Sequence, residues 1–334
     1  MLRFISIAVS VGLLLLPKLA AADPINLKLS FFTSDRSVIY RNSVKPLVDA
    51  VNAEGAGVVH IDVYFSGAIS AVQNQQPRLV SEDAADLALI VPGQTAERFY
   101  DTSAMELAGL FPDARAASRI YTDLAQDGML AGYEDFYVVG GFVSRPEVIN
   151  SRKPVAALAD LQGLKIRVNN AIEADTLQRF GAIPVLIAIN QTNDAISQGA
   201  IDAATFPPEI LSEFGVGRVA THHYVLLLGG VPTALVMNRR KFESLPPQAQ
   251  AVIRKYSGSW LTDSSARQFD ASGAASLQAL QADPRRQVVF PSVADATAIQ
   301  AVYQQVIAEY GDASNHSAEL LARVRADLTK LPTD

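Results

Sequence analysis

Short apolar strands alternate with helical segments through the first half of this chain of 334 residues. Residues 25–31 alternate apolar and polar side chains, and Ser37 is placed to cap a helix that continues to about Glu54. Further strands are predicted at residues 58–65, 86–91 and 136–143. This alternation is typical of α/β architecture, and we therefore expect central sheets in which most strands run parallel.

The composition turns polar and charged at residues 144–153, and a second, smaller α/β unit follows at residues 154–230. Residues 231–237 are apolar again and are predicted to return to the first sheet. Two such crossings predict two lobes joined by hinge strands. The predicted limits are residues 23–143 with about 231–272 for lobe I, and residues 144–230 with about 273–334 for lobe II.

Long helices are predicted in the C-terminal third. One helical region starts near Pro246 and reaches Asp283, with Gly258 as a point where it can bend. An apolar stripe at helical spacing follows, formed by Ile299, Val302, Tyr303, Val306 and Ile307. Such a stripe is more often packed on a core than offered to a partner, so these helices are expected to brace the lobes.

The first 22 residues have the three parts of a targeting segment. Arg3 supplies a positive charge, residues 4–16 form an apolar run of 13, and three alanines precede Asp23. A helix needs about 20 apolar residues to cross a bilayer, so this run is too short to do so. The sequence therefore predicts a signal peptide cleaved near Ala22 and a periplasmic mature protein.

Charge and the inventory of reactive side chains argue against several classes of protein. The formal net charge is −6 at pH 7, which disfavours nucleic acid as a partner. The chain has no cysteine, and the adjacent His222 and His223 of a predicted strand would point to opposite faces. No pairing of nucleophile with base and no metal-ligand spacing is found. We therefore expect no enzymatic activity, no cofactor and no metal.

A single arginine, Arg167, lies in a short apolar strand with Leu164, Ile166 and Val168. Burying a guanidinium without an anionic partner costs several kcal/mol, so a partner is expected. No acid nearby in the sequence is obviously dedicated to Arg167. The predicted partner is therefore an anionic ligand, and a salt bridge to a neighbouring acid is the alternative.

The Gly-Leu-Lys-Ile-Arg turn and strand at residues 163–167, followed by Ile-Asp-Ala at residues 201–203, resembles the solute-binding proteins of TRAP transporters, the DctP-like family. The resemblance extends from Ile25 through the long helices after Pro246. It implies a periplasmic-binding-protein-like fold that captures a small organic acid in a cleft between its lobes. It also implies that membrane permease subunits of a sodium-driven transporter receive the acid.

The resemblance implies roles for two arginines. The family uses the arginine that matches Arg167 to hold the substrate carboxylate, through the two parallel hydrogen bonds that a planar guanidinium can form. Arg145 lies where many family members carry a second polar or basic ligand contact. An assisting contact and a surface position are both open for Arg145.

The residues after Ile-Asp-Ala depart from the family pattern. Sugar-acid binders of the family tend to place asparagine, and keto-acid binders tryptophan, where this chain has Phe206. Because Phe206 cannot donate a hydrogen bond, it is predicted to line the pocket with an apolar ring face, with core packing as the alternative. Thr205 stands where keto-acid binders tend to carry a glutamate that helps a bound cation, which disfavours a metal-assisted mode of binding.

Two further residues are candidates for the ligand pocket. Phe32 ends the first strand, and ligands of open α/β sheets gather at the carboxyl ends of strands. Asn169 follows Arg167 and is placed either to donate to the ligand or to cap the next helix, of which the cap is the favoured role.

These residues together predict the capture of a small organic monocarboxylate with an apolar or aromatic body. A C4-dicarboxylate and a keto acid are the alternative ligands. The alternative function is a ligand-sensing binding protein for a membrane receptor, because the same closed cleft would serve as its signal.

Overall fold

The computed structural model describes residues 23–331, and the predicted signal peptide lies outside the described residues. Strands of this part of the chain form one sheet of five and one sheet of six. In chain order the strands are β1 (Ile25–Phe31), β2 (Val59–Phe65), β3 (Leu87–Ile90), β4 (Phe136–Val143), β5 (Val148–Ser151), β6 (Lys165–Val168), β7 (Ile183–Leu186), β8 (Ala203–Phe206), β9 (His222–Tyr224), β10 (Pro232–Asn238) and β11 (Gln287–Val289).

The first sheet has the strand order β2-β1-β3-β10-β4. β1 pairs in parallel with β2 and β3, whereas β10 pairs antiparallel with both β3 and β4. Four of its five strands therefore point the same way, with β10 as the exception. Every residue of β10 is buried, as expected of an interior strand that is covered on both faces.

The second sheet has the strand order β11-β9-β5-β8-β6-β7. β5 pairs antiparallel with β8 and β9, and the remaining pairs are parallel. Five of its six strands therefore point the same way. The predicted α/β fold with mostly parallel sheets is confirmed.

The chain crosses between the two sheets twice in the middle of the sequence. Residues 144–147 lead from β4 to β5, and residues 225–231 lead from β9 back to β10. The first crossing leads into β5 and the second into β10, and each of these strands is antiparallel to both of its neighbours. The predicted return of residues 231–237 to the first sheet is confirmed.

The helices that surround the sheets are α1 (Lys45–Glu54), α2 (Gln76–Ser81), α3 (Ala114–Gln126), α4 (Ala171–Arg179), α5 (Thr192–Ser197), α6 (Val216–Val219), α7 (Arg239–Ser244), α8 (Pro247–Tyr256), α9 (Ser259–Ala282), α10 (Val293–Asp312) and α11 (Asn315–Leu328). A wider helical turn at Tyr40–Val44 precedes α1. Ser37 Oγ accepts a hydrogen bond from the Tyr40 N–H at 3.3 Å, which confirms the predicted start of this helical segment.

We call the first sheet and the segments packed on it lobe I, and the second sheet with its segments lobe II. The helix α9 has 24 residues and contacts both β4 of lobe I and β11 of lobe II. Leu320 and Val324 of α11 are buried in the same apolar cluster as Ile90 and Val138 of the first sheet. The C-terminal helices thus brace both lobes, and the exact limits of the lobes stay a prediction.

Two features of the C-terminal region differ from the expectation. The helical region from Pro246 to Asp283 consists of two helices, because the backbone turns at Gly258, which has a φ of 61°. The strand β11 was not predicted, since it has only three residues and none of them is fully buried. In residues 23–331, no helix combines the length and the apolar character needed to cross a membrane.

Candidate ligand-binding site

A cavity lies between the two lobes, where parallel strands of both sheets end. Phe32 follows β1 and Val91 follows β3 in lobe I, while Asn169 follows β6 and Pro207 follows β8 in lobe II. Ligands of open α/β sheets gather at the carboxyl ends of strands. The remaining lining residues are Ile39, Gln73, Phe142, Ser144, Glu147, Ile189, Glu209, Ile210, Val231, Thr233 and Phe269.

The cavity has the size and the lining of a site for a small, largely apolar molecule. The volume that the centre of a water molecule can occupy in this cavity is about 60 Å³. At about 10–15 Å³ for each water, this is room for roughly four to six waters, comparable to a small organic acid. Phe142 and Phe269 stack with ring centroids 5.2 Å apart, and Phe32 stacks on Phe31.

Arg167 of β6 is a buried cation with one unused donor. It is 1% exposed. Its Nε donates to the carbonyl oxygen of Ile187 at 3.1 Å and its Nη1 to that of Thr205 at 3.2 Å, whereas its Nη2 has no hydrogen-bond partner. The guanidinium carbon lies 5.0 Å from the centre of the Phe206 ring, a cation–π contact.

Two buried glutamates lie close to Arg167, and sequence reasoning missed both. Asn169 Nδ2 donates to the two carboxylate oxygens of Glu147 at 2.7 and 2.8 Å. Glu173 Oε2 accepts from the Asn169 N–H at 2.8 Å and from the Thr205 hydroxyl at 3.0 Å. Within the described part of the chain, the Arg167 guanidinium donates only to carbonyl groups and to neither acid.

The pKa values of Glu147 and of Arg167 are shifted by burial and by the charges around them. Burial raises the pKa of Glu147 well above its usual range, and the charge of Glu173 adds to this increase, while Arg167 opposes it. Burial also lowers the pKa of Arg167, and the two carboxylates counteract this. Since a raised pKa favours the protonated form, Glu147 compensates the charge of Arg167 only in part.

A third buried acid, Glu209, lines the cavity itself. It is 4% exposed, and neither of its carboxylate oxygens has a hydrogen-bond partner. Burial raises the pKa of Glu209 to about 7, and its own backbone N–H and, less strongly, the positive charge of Arg145 oppose this shift. The sequence signal that could have identified it is an acid placed between Pro207-Pro208 and the apolar Ile210.

The predicted site residues fall into two layers. Phe32 and Asn169 line the cavity. Arg167, Thr205 and Phe206 do not line it, and they form the layer next to Asn169 through the contacts described above. Phe206 is fully buried in the apolar cluster of lobe II. Its contact with a ligand stays a prediction.

Arg145 does not line the cavity. Its Nη1 donates to Asp270 Oδ1 of α9 at 3.2 Å. Its side chain passes over Gly273, where a Cβ atom would lie 2.2 Å from Arg145 Cδ. An assisting contact of Arg145 with the ligand stays a prediction.

Asn170, not Asn169, caps α4. Asn170 Oδ1 accepts a hydrogen bond from the Glu173 N–H at 2.8 Å. The preference for Asn169 as the cap was wrong by one residue, because the amide of Asn169 is occupied by Glu147 from a distant segment. Among the described residues, no group of three or more histidine, aspartate or glutamate side chains could hold a metal ion.

Comparison with known proteins relates this architecture to one family. The sequence model of the family described as bacterial extracellular solute-binding protein, family 7 (DctP), matches residues 29–313. The matched region includes all eleven strands except the first residues of β1, and both crossings between the lobes. It therefore also contains every residue that lines the cavity.

Three similar proteins bind organic acids according to their names. The C4-dicarboxylate-binding periplasmic protein DctP of Rhodobacter capsulatus is 21% identical over 249 residues, 71% of this chain and 72% of that protein. The 2,3-diketo-L-gulonate-binding periplasmic protein YiaO of Escherichia coli (strain K12) is 33% identical over 113 residues, 32% of this chain and 33% of that protein. The match thus spans only a third of the Escherichia coli relative.

The third is a TRAP solute binding protein from Rhodoferax ferrireducens T118, crystallised in complex with copurified benzoate. It superimposes with a TM-score of 0.84 at 26% sequence identity, and the match covers 92% of this chain and 98% of that one. The acids named for the three proteins differ in class, from a dicarboxylate to a sugar acid to an aromatic acid.

Proposed function

Because the chain belongs to family 7 of the bacterial extracellular solute-binding proteins, we propose that it captures a small organic monocarboxylate in the cavity between its lobes. The family comprises solute-binding proteins for transport and is not a class of enzymes. The bound acid favours the closed arrangement of the lobes, since both lobes contribute to the lining of the cavity.

The observation that carries this proposal is the free Nη2 of Arg167. A buried polar group without a partner costs about 1–3 kcal/mol, and more when it is charged. A ligand carboxylate at Nη2 would recover this free energy through a charge-assisted hydrogen bond. Thr205 and Phe206 hold the guanidinium from two sides, so its orientation is set before the ligand arrives.

Three phenylalanine rings support an apolar or aromatic body for the acid. Phe32, Phe142 and Phe269 line the cavity and offer ring faces to a ligand. The benzoate in the similar Rhodoferax protein is an acid of this kind. We propose that the ligand of this protein binds with its carboxylate toward Arg167 and its ring toward the phenylalanines, with Arg145 as an assisting positive charge.

The acidic lining argues against a dicarboxylate, which the similarity to the Rhodobacter protein would suggest. Glu147 and Glu209 both line the cavity. A second ligand carboxylate, away from Arg167, would approach Glu209, and one of the two groups would have to take up a proton, because two carboxylates at short range cannot both ionise without a large cost. A monocarboxylate avoids this cost at Glu209.

We further propose that residues 1–22 are a signal peptide and that the mature protein works in the periplasm. The closed, loaded form would deliver its acid to the membrane permease subunits of a TRAP transporter. The alternative is a ligand-sensing binding protein whose closed, loaded form is recognised by a membrane receptor. Deletion of neighbouring permease genes would abolish uptake of the acid in the first case and leave uptake unchanged in the second.

The proposal is tested by a thermal-shift screen of the purified protein against dicarboxylates, keto acids, sugar acids and aromatic acids. A ligand at 100 times its dissociation constant adds about 2.7 kcal/mol of stability, which raises Tm by several degrees. We expect increases in Tm with apolar or aromatic monocarboxylates. An increase with dicarboxylates or sugar acids alone would contradict the ligand class.

Substitution of Arg167 tests the carboxylate contact directly. Lysine keeps the charge but loses the fork geometry, so Arg167→Lys should weaken binding of the acid by about tenfold to hundredfold. The matched control is Arg152→Lys in the same lobe, because Arg152 pairs with Asp202 at 3.4 Å and does not line the cavity. Unchanged affinity in Arg167→Lys, measured by titration calorimetry, would exclude the role of Arg167.

A further inference from the structure

The acid Glu209 stands out among the buried groups because no other residue of the described protein donates a hydrogen bond to it. It follows β8 directly after Pro207-Pro208, which aim the chain into the cavity. Both of its carboxylate oxygens are buried and lack a hydrogen-bond partner. A buried, unpaired carboxylate is costly, so a position of this kind normally has a partner.

The neighbouring charges do not supply this partner. Arg145 is the positive charge that acts on Glu209, but its guanidinium donates to Asp270 of α9. Helix α9 approaches Glu209 through Gly273, where a Cβ atom would lie 3.0 Å from Glu209 Oε2. The helix thus packs closely against the carboxylate and offers it no side-chain donor. Glu209 also lines the cavity, from which a donor of the ligand can reach it.

We propose that Glu209 is the second polar anchor of the cavity and accepts a hydrogen bond from a hydroxyl or amino group of the ligand. The ligand class is then a small aromatic or apolar monocarboxylate that carries one hydrogen-bond donor away from its carboxylate. This inference rests on the proposed function, because it adds a second contact to the acid that Arg167 holds.

The polar groups around the cavity agree with this class. Arg167 has a free donor for the carboxylate of the ligand, and Glu209 has free acceptors for its hydroxyl or amino group. The Asn169 Nδ2 is a donor that is already used, because it donates to Glu147. The lining also includes the apolar rings of Phe32, Phe142 and Phe269. An acid without a donor would leave Glu209 unpaired in the closed protein.

The experiment compares acids of matched shape. The probes are benzoate, 3- and 4-hydroxybenzoate, their methoxy ethers and the corresponding aminobenzoates. A methoxy group fills the space of the hydroxyl but cannot donate. Titration calorimetry gives the affinity of wild-type protein and of the variants Glu209→Leu, Glu209→Gln and Arg167→Lys for each probe.

At pH 8, where Glu209 with its pKa of about 7 is mostly ionised, we expect at least one donor-bearing acid to bind wild-type protein about tenfold to hundredfold more tightly than benzoate and than its methoxy ether, as for a hydrogen bond to a charged group. Glu209→Leu should reduce this preference to about one. Glu209→Gln keeps the shape and one carbonyl acceptor, so it should retain part of the preference. The Gln variant also removes an unpaired charge without changing volume, which protects the test against a failure to fold.

The outcomes separate this inference from the proposed function. Equal affinity of wild-type protein for acids with and without a donor, together with a loss of binding in Arg167→Lys, would overturn the role of Glu209 alone. A donor preference that persists in both Glu209 variants would overturn it too. Binding of none of the acids by a folded protein would contradict the proposed function, and the role of Glu209 would fall with it.

Discussion

At the scale of single residues, the buried charges around the cavity differ in how they are satisfied. Arg167 donates to two carbonyl groups, and Glu147 accepts two hydrogen bonds from Asn169. Glu209 receives none. Because an unpaired buried carboxylate opposes folding, Glu209 should lower the free energy of unfolding of the ligand-free protein. The size of this effect should depend on pH, since only the ionised form is charged.

The pKa of Glu209 predicts the direction of that dependence. It rises from 4.5 to about 7 on folding because of burial, and the charge of Asp270 adds to the rise while that of Arg145 opposes it. A raised pKa gives stability that is fully present below pH 4.5 and lost as the pH rises through about 7. Between pH 4.5 and 8, wild-type protein should lose about 3 kcal/mol of unfolding free energy relative to Glu209→Gln.

Urea unfolding of the two proteins across this pH range measures the difference. The variant serves as the reference, because glutamine has the shape of glutamate and does not titrate. A difference in free energy of unfolding that is constant with pH would show that the carboxylate is solvated or paired in the free protein.

At the scale of elements, the second crossing between the lobes depends on close backbone packing. Gly229 lies in this crossing, and a Cβ atom there would come within 1.8 Å of the carbonyl oxygen of Glu106. A backbone atom cannot move away as the end of a side chain can. The crossing and the segment before α3 are therefore held at a distance that only glycine permits.

Gly229→Ala should accordingly destabilise the protein by about 2 kcal/mol or more, as other overpacked substitutions do. The matched control is Gly217→Ala in α6, where the nearest atoms to a Cβ would lie at 3.7 Å, an ordinary contact. Alanine also favours the helix there, so the control should be neutral or slightly stabilising. Equal Tm for the two variants in thermal unfolding would contradict the packing argument.

Most elements of the fold were predictable because their signals are local. The strand at residues 136–143 agrees with its prediction, and the Asp113 side chain caps α3 by accepting from the Ala116 N–H at 2.7 Å. The exceptions are short or depend on distant partners. β11 pairs in parallel with the edge of β9, a partner that is distant in the sequence. Both strands have only three residues, which is too few to show the alternation of apolar and polar side chains that identifies a strand.

At the scale of the whole molecule, two hydrogen bonds join the lobes across the cleft. The Val38 N–H donates to Glu213 Oε2 at 3.0 Å, and Gln94 Nε2 donates to the carbonyl oxygen of Asn169 at 3.0 Å. Val38 begins the helical segment that Ser37 caps, so Glu213 also meets the positive end of a helix. Both contacts bridge the two lobes, so we expect them to stabilise the closed arrangement.

Glu213→Ala should therefore weaken ligand binding by about two- to tenfold, because one hydrogen bond contributes about 0.5–1.5 kcal/mol to closure. Its effect on unfolding should be small, since Glu213 is only partly buried. Calorimetry measures the affinity, and small-angle scattering measures whether the free variant is more open. The exposed Glu319→Ala is the control. An unchanged affinity in Glu213→Ala would show that this contact does not limit closure.

The sequence by itself determined the α/β class, the two crossings, the helical C-terminal region and the placement of a lone arginine in an apolar strand. These features follow from side-chain periodicity and from turn and capping residues, which act over a few neighbouring positions. Only the tertiary structure decided that Glu147 and Glu209 are buried in the lining of one cavity, and that Asn169 binds a glutamate instead of capping a helix. The physical reason is that burial, hydrogen bonding and pKa depend on atoms from distant segments, and folding alone brings those segments together.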